Sequence, residues 1–238
     1  MITVIDHGAG NLASLEGALE AMGFAFRRAT RPEEAEGLLL LPGDGHFGAA
    51  RRGLVDTGWW EALPRLVAEG QPLLGICVGL QLLAQGSEEA PELPGLGLLP
   101  GRVRRLGTNL NEEGPPGRPA PSTSPLKHPH ALPGQSPASA SGVKVPHMGW
   151  ARTTLVKSHP AFGREAEGWL YFVHSYALDL DGATILSAEH GRPFAAVAGA
   201  TSGRGRVLGF QPHPEKSGPH GRALLAGALR WLANPAEA

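Results

Sequence analysis

Apolar and polar positions along the chain alternate between two kinds of block. MITVID, FAFRRA, GLLLLP and QPLLGI are apolar runs of strand length bounded by Gly, Pro or Asp. Between the first two, Leu12, Leu15, Leu19 and Met22 recur at helical spacing. Asn11 or Ser14 is placed to cap that helix, and Gly23 to close it in a left-handed conformation. A short helix precedes GLLLLP, and a helical stretch through Trp59, Trp60 and Leu66 precedes QPLLGI. The alternation predicts βαβ units and a parallel sheet, with the strand ends and their loops gathered on one edge where sites of such folds lie.

The last third returns to strands, read as VKVPHMGW, WLYFVHSYAL, ATILSAEH, AAVAGA and RVLGFQ. The turn Ala-Thr-Ser-Gly-Arg-Gly-Arg joins the last two as a hairpin, and an apolar-striped helix, HGRALLAGALRWLA, closes the chain. The expected fold is therefore α/β, a mixed and mostly parallel sheet flanked by helices from both ends of the chain.

With 42% hydrophobic residues among 238, the chain has enough apolar material for one substantial core, so a single domain over residues 1–238 is expected. Between about Gly107 and Ser141 the composition shifts to Pro, Gly and Ser without apolar periodicity, which reads as a surface insertion. A formal net charge of −1 and a sequence pI near 6.8 supply no broad basic field, which argues against nucleic acid or anionic membranes as partners. No signal-like or bilayer-length apolar segment is present in the sequence, and a soluble, cytoplasmic protein is expected.

The single cysteine, Cys77, can form no internal disulfide. It ends the strand QPLLGI inside Gly75-Ile76-Cys77-Val78-Gly79, the form of a nucleophile elbow, whose flanking glycines permit a sharp strand-to-helix turn. The helix expected next, GLQLLAQG, would favour a thiolate through its N-terminal dipole and N–H groups. A buried core cysteine is the plainer account of Cys77 taken alone. Acyl transfer at a thiol needs a base and a group to orient it, and Gln211-Pro212-His213-Pro214-Glu215 follows the strand RVLGF. In extended chain His213 and Glu215 would share a face, imidazole as base and then acid, carboxylate as its orienting partner.

A tetrahedral intermediate also needs donors for its oxyanion. Leu41-Pro42-Gly43-Asp44-Gly45, at the end of the third strand, offers a backbone N–H in the same layer, and Val78 N–H offers a second. His46, His147 and His174, near strand ends, read as hydrogen-bonded structural histidines, and His128 and His130 as loop residues without companion metal ligands.

Pro42-Gly43-x-Gly45, Gly75-x-Cys77-x-Gly79-x-Gln81 and His213-Pro214-Glu215 together resemble class I, or triad, glutamine amidotransferases, whose sheet is flavodoxin-like. Gly8-Ala9-Gly10-Asn11, Pro146-His147-Met148-Gly149-Trp150, Phe172-Val173-His174-Ser175-Tyr176 and His213-Pro214-Glu215-Lys216-Ser217 look, more narrowly, like the glutaminase subunits of imidazole glycerol phosphate synthase. The resemblance implies a catalytic triad of Cys77, His213 and Glu215. It implies glutamine held by Gly43, Asp44, Val78, Gln81, Ser175 and Tyr176, and Asn11, Met148, Trp150 and Lys216 facing a partner.

That partner would be a (β/α)8-barrel cyclase subunit in a heterodimer. Ammonia cut from glutamine would pass through the barrel to an aminoimidazole carboxamide ribonucleotide derivative, giving imidazole glycerol phosphate for histidine biosynthesis. No metal or cofactor is implied. The sequence departs from the family pattern at His7 (usually tyrosine), Asp44 (small or apolar), Pro212 (phenylalanine) and Ala151 (asparagine), and in the length of the insertion. Three alternatives stand beside this expectation: a γ-glutamyl hydrolase or cysteine peptidase of the same fold, an amidotransferase serving tryptophan, GMP or pyridoxal phosphate synthesis, and a docking subunit without turnover.

Overall fold

A computed structural model of the chain describes residues 1–8, 12–107 and 143–234. Asn11, His128, His130 and nearly all of the Pro-rich segment lie outside these residues.

Four short strands, β1 (Ile2–Ile5), β2 (Phe26–Ala29), β3 (Leu38–Leu41) and β4 (Leu73–Ile76), form the N-terminal half of the sheet. Helix α1 (Leu12–Ala21) connects β1 to β2, a single 3-10 turn (Pro32–Glu34) stands between β2 and β3 where a short helix was expected, and α2 (Phe47–Thr57) and α3 (Trp59–Glu69) connect β3 to β4. Every residue of β1, β3 and β4 is buried, as strands covered on both faces require. The outermost strand, β2, instead exposes Arg27 and Arg28, charges that discourage edge-to-edge pairing. Gly23 closes α1 at φ 75°, as expected. Helix α2 lies beyond the sequence expectations; Phe47, Ala50 and Leu54 form its buried stripe, and His46 caps it by accepting a hydrogen bond from Gly48 N–H.

After β4 comes the short helix α4 (Val78–Leu83), which ends before the GLQLLAQG pattern does. The remaining strands are β5 (Val103–Arg105), β6 (His147–Leu155), β7 (Gly168–His174), β8 (Tyr176–Leu178), β9 (Thr184–His190), β10 (Arg192–Ser202) and β11 (Gly205–Phe210), followed by α5 (Gly218–Ala233). Two strand expectations are corrected. VKVPHMGW starts its strand only at His147 and continues to Leu155; WLYFVHSYAL is broken at Ser175, where β8 leaves to pair with β5.

Nine strands make one sheet in the order β2-β1-β3-β4-β11-β10-β9-β6-β7. The first five are mutually parallel, and the last four extend the sheet antiparallel. The arrangement that matters is β11 lying parallel beside β4, with Phe210 opposite Ile76. It brings the residue after each strand, Cys77 from one and Gln211 from the other, to the same edge.

Candidate active site

Cys77 has φ 54° and ψ −111°, and among the described residues it is the only non-glycine with positive φ. Backbone held in so sparse a region persists only where its surroundings fix it. Here Cys77 N–H donates to Phe210 C=O at 2.7 Å, and close packing supplies the rest. A Cβ on Gly79 would collide with Leu41 C=O, and one on Gly43 would lie 2.7 Å from the carbonyl carbon and side chain of Val78. The Pro42–Gly45 loop and the elbow are thus interlocked through two residues that have no side chain.

His213 follows β11, its N–H donating to Tyr171 C=O at 2.9 Å. The expected extended His-x-Glu geometry is corrected: Pro214–Lys216 form a single 3-10 turn. That turn curls Glu215 back so that its Oε1 lies 2.8 Å from His213 Nδ1, both side chains being almost fully buried. Ser217, which in the sequence only ends the His-Pro-Glu-Lys-Ser motif, clamps the turn by donating to His213 C=O at 2.6 Å and accepting from Tyr171 N–H at 2.9 Å.

The other ring nitrogen, Nε2, is buried and closes no hydrogen bond, yet Cys77 lies near enough to act on it. Burial pulls the imidazole pKa down, but interaction with Cys77 and Glu215 outweighs it and lifts the value to about 10. A proton at neutral pH therefore sits on His213, next to the sulfur.

A cavity of about 210 Å³ opens at Cys77, lined among others by Asp44, Val78, Gln81, Ser175 and Tyr176. Five of the residues expected to hold substrate are therefore brought together. Gly43 lies against the elbow instead and lines a smaller cleft that it shares with Asp44, His213, Glu215 and Lys216. Asp44 is exposed, and its Oδ1 accepts from Gly45 N–H at 2.8 Å.

Two further residues, one in the cavity and one behind it, were not singled out in the sequence. Glu89 lines the cavity, its Oε2 accepting from Phe47 N–H at 2.7 Å, and with Asp44 it is one of two carboxylates there. Gln211 is fully buried; its amide donates toward Cys77 Sγ at 3.9 Å and its Oε1 accepts from Gln81 at 3.2 Å. Only the adjacency of Gln211 to the His-Pro-Glu segment could have marked it, and nothing local marks Glu89.

Behind the wall, Gln81 and His174 both donate to Tyr176 C=O, at 2.9 Å each, and His147 Nδ1 lies 3.0 Å from His174 Nε2. Because the carbonyl can only accept, His174 carries its proton on Nδ1 and takes a hydrogen bond from His147 on Nε2. Burial lowers His147 to about 4 and His174 to about 3, so both are neutral structural groups.

Strands β6 and β7 expose Met148, Trp150 and Trp169, at 65%, 52% and 60%. Trp150 lies opposite Tyr171 in the ladder, and their rings meet edge to face at 6.0 Å. Met148 and Trp150 were expected at a partner surface; Trp169 and Tyr171 enlarge the patch.

A strained cysteine at the end of β4, with a buried His–Glu pair following the neighbouring strand β11, is an arrangement suited to acyl transfer at a thiol on an α/β sheet. Residues 3–230 match the family described as class-I glutamine amidotransferase. The chain is 39% identical over 237 residues to imidazole glycerol phosphate synthase subunit HisH of Bacillus velezensis, covering 98% of this chain and 97% of that one. It is also 39% identical to the HisH subunit of Halalkalibacterium halodurans, over 94% of this chain and 93% of the other. The structure of PurLQS from Thermotoga maritima shares the fold, with a TM-score of 0.61 at 18% identity over 97% of this chain and 98% of that one. The chain belongs to the class-I glutamine amidotransferase family and, within it, to the HisH subunits of imidazole glycerol phosphate synthase.

Proposed function

We propose that this chain releases ammonia from glutamine at Cys77 and hands it to a cyclase subunit of (β/α)8-barrel form, in a cytoplasmic heterodimer, as a single domain over residues 1–238. The observation that carries the mechanism is the buried His213–Glu215 pair beside the strained cysteine.

The sulfur reacts as the thiolate, its proton held by His213. Attack on the side-chain carbonyl carbon of glutamine forms the C–S bond and moves an electron pair onto oxygen. Val78 N–H and the Gly43–Asp44 backbone supply donors to that oxyanion. His213 gives its proton to the nitrogen, the C–N bond breaks, and ammonia leaves a γ-glutamyl thioester. Water then attacks the thioester carbon as His213 takes its proton, the C–S bond breaks, and glutamate leaves the thiolate beside a protonated His213. Glu215 holds the imidazole in register throughout, while Glu89 receives the α-ammonium group of glutamine and Gln81, Ser175 and Tyr176 shape the cavity.

Met148, Trp150, Lys216 and Asn11 are proposed to face the cyclase, together with Trp169 and Tyr171. An exposed aromatic cluster of this kind makes a good interface anchor. The backbone of Tyr171 also bonds both His213 and Ser217, so pressure on this patch is felt at the triad.

Glutamate release by the wild type and by Cys77→Ala, each with and without the cyclase subunit and its nucleotide ligand, tests the proposal. Turnover that needs the cyclase and vanishes in Cys77→Ala is expected. Turnover indifferent to the cyclase would overturn the pairing, and activity surviving in Cys77→Ala would overturn the chemistry.

A further inference from the structure

We infer that His7 is a positioning residue for the oxyanion loop, holding the Pro42–Gly43 peptide in the orientation that acyl transfer at Cys77 requires; this rests on the function proposed above. His7 follows β1 and is 3% exposed, and its Nε2 lies 3.2 Å from Pro42 C=O, thirty-five positions further along the chain. The carbonyl can only accept, so Nε2 carries the hydrogen and donates it. The other nitrogen, Nδ1, is buried with no partner. Burial holds the imidazole below its ordinary pKa, which keeps the ring neutral.

The ring is seated by its neighbours. A Cβ on Gly53 of α2 would collide with the His7 carbonyl oxygen and come within 3.1 Å of Nδ1, so the helix approaches His7 at a residue with no side chain. The imidazole therefore stands wedged between α2 and the loop, with one useful hydrogen bond.

That bond reaches the oxyanion loop by a short covalent route. A peptide unit is planar, and in the trans form its C=O and N–H point in opposite directions. Fixing Pro42 C=O fixes Gly43 N–H, and with it the path of the chain into Asp44. The far side of the same residue is fixed independently, since Gly43 packs on the Val78–Gly79 backbone. His7 and the elbow thus grip the loop from two sides, and a donor at position 7 determines how the loop's N–H groups are presented to the substrate oxygen. Misplacing such donors costs rate in the step where charge develops on oxygen, and leaves ground-state binding nearly untouched.

The test compares wild type, His7→Leu and His7→Gln, each as the complex with the cyclase subunit. His7→Leu removes the donor. His7→Gln keeps an N–H at similar reach. Three quantities are measured: kcat and KM for glutamine, the rate of Cys77 alkylation by iodoacetamide, and the thermal unfolding midpoint. Alkylation displaces iodide from the saturated carbon of iodoacetamide and develops no oxyanion, so its rate reports the sulfur alone.

His7→Leu is expected to lower kcat about tenfold to a hundredfold with little change in KM. His7→Gln is expected to recover most of that loss, and alkylation to stay at the wild-type rate in both. Wild-type kcat in His7→Leu would overturn the inference. So would a loss that glutamine does not recover, or an alkylation rate that falls in step with kcat, or a loss equal to the unfolded fraction at the assay temperature. A wild-type complex without glutaminase activity would overturn the parent function, and this inference with it.

Discussion

Nδ1 of His213 and Oε1 of Glu215 are 2.8 Å apart because a single 3-10 turn, not a strand, lies between them. Replacing Glu215 with Gln leaves the shape and removes the charge that orients and stabilises the imidazolium. The expected loss is on the order of 10² to 10⁴ in kcat for glutamate release, with KM changed far less. Steady-state kinetics on the complex measure it, and a Glu215→Gln enzyme within tenfold of wild type would remove the carboxylate from the mechanism.

The histidines set a two-sided dependence of stability on pH. His213 binds its proton more tightly folded than unfolded, at about 10 against 6.5. Its contribution is therefore full below pH 6.5 and is lost as pH rises through about 10. His147 and His174, lowered to about 4 and about 3, have the opposite sign: unfolded chain takes up their protons first, so stability falls as pH drops below 6.5 toward those values. Urea unfolding from pH 4 to 10 should peak near neutrality, and Glu215→Gln should flatten the alkaline limb. A stability that keeps rising to pH 10 would contradict the protonated state assigned to His213.

Glu89 lines the cavity beside Cys77, where it is proposed to receive the substrate ammonium, and it accepts from Phe47 N–H. Glu89→Gln retains an acceptor for the backbone and loses the negative charge. A charge-assisted hydrogen bond contributes about 1.5–3 kcal/mol, so KM for glutamine should rise roughly ten- to a hundredfold while kcat changes little. An unchanged KM would place the ammonium group elsewhere.

Gly79→Ala is the steric counterpart. The new methyl would meet Leu41 C=O, which is backbone and cannot swing aside. Overpacking of this kind costs about 1–3 kcal/mol or more, and part of the cost should appear as a lost elbow conformation. Denaturant unfolding together with the rate of Cys77 alkylation separates the two, and a variant of wild-type stability would show that the loop yields more easily than its packing implies.

Trp150→Ala removes the aromatic that meets Tyr171 from a half-exposed position on the ribbon. Loss of about 2 kcal/mol or more in affinity for the cyclase subunit is expected by calorimetry, as for a truncated aromatic anchor. Undiminished binding would move the interface away from β6 and β7.

What the sequence determined by itself was whatever depends on near neighbours. Gly-x-Cys-x-Gly after an apolar run dictates a strand-to-helix elbow, because only a strained turn flanked by small residues satisfies both elements. The βαβ alternation dictated a parallel sheet, and His213-Pro214-Glu215 kept its two functional side chains close whatever the local backbone, although extended chain was the wrong conformation for it. Only the tertiary structure decided the rest, since each remaining feature depends on strand order rather than spacing. The adjacency of β4 and β11 sets Gln211 against a sulfur 134 positions away, the path after α4 carries Glu89 into the cavity, and the β6–β7 register sets Trp150 opposite Tyr171. His7 shows the division most clearly. In the sequence it is a departure from a family pattern, and only burial and a hydrogen bond across thirty-five positions place it against the Pro42–Gly45 loop.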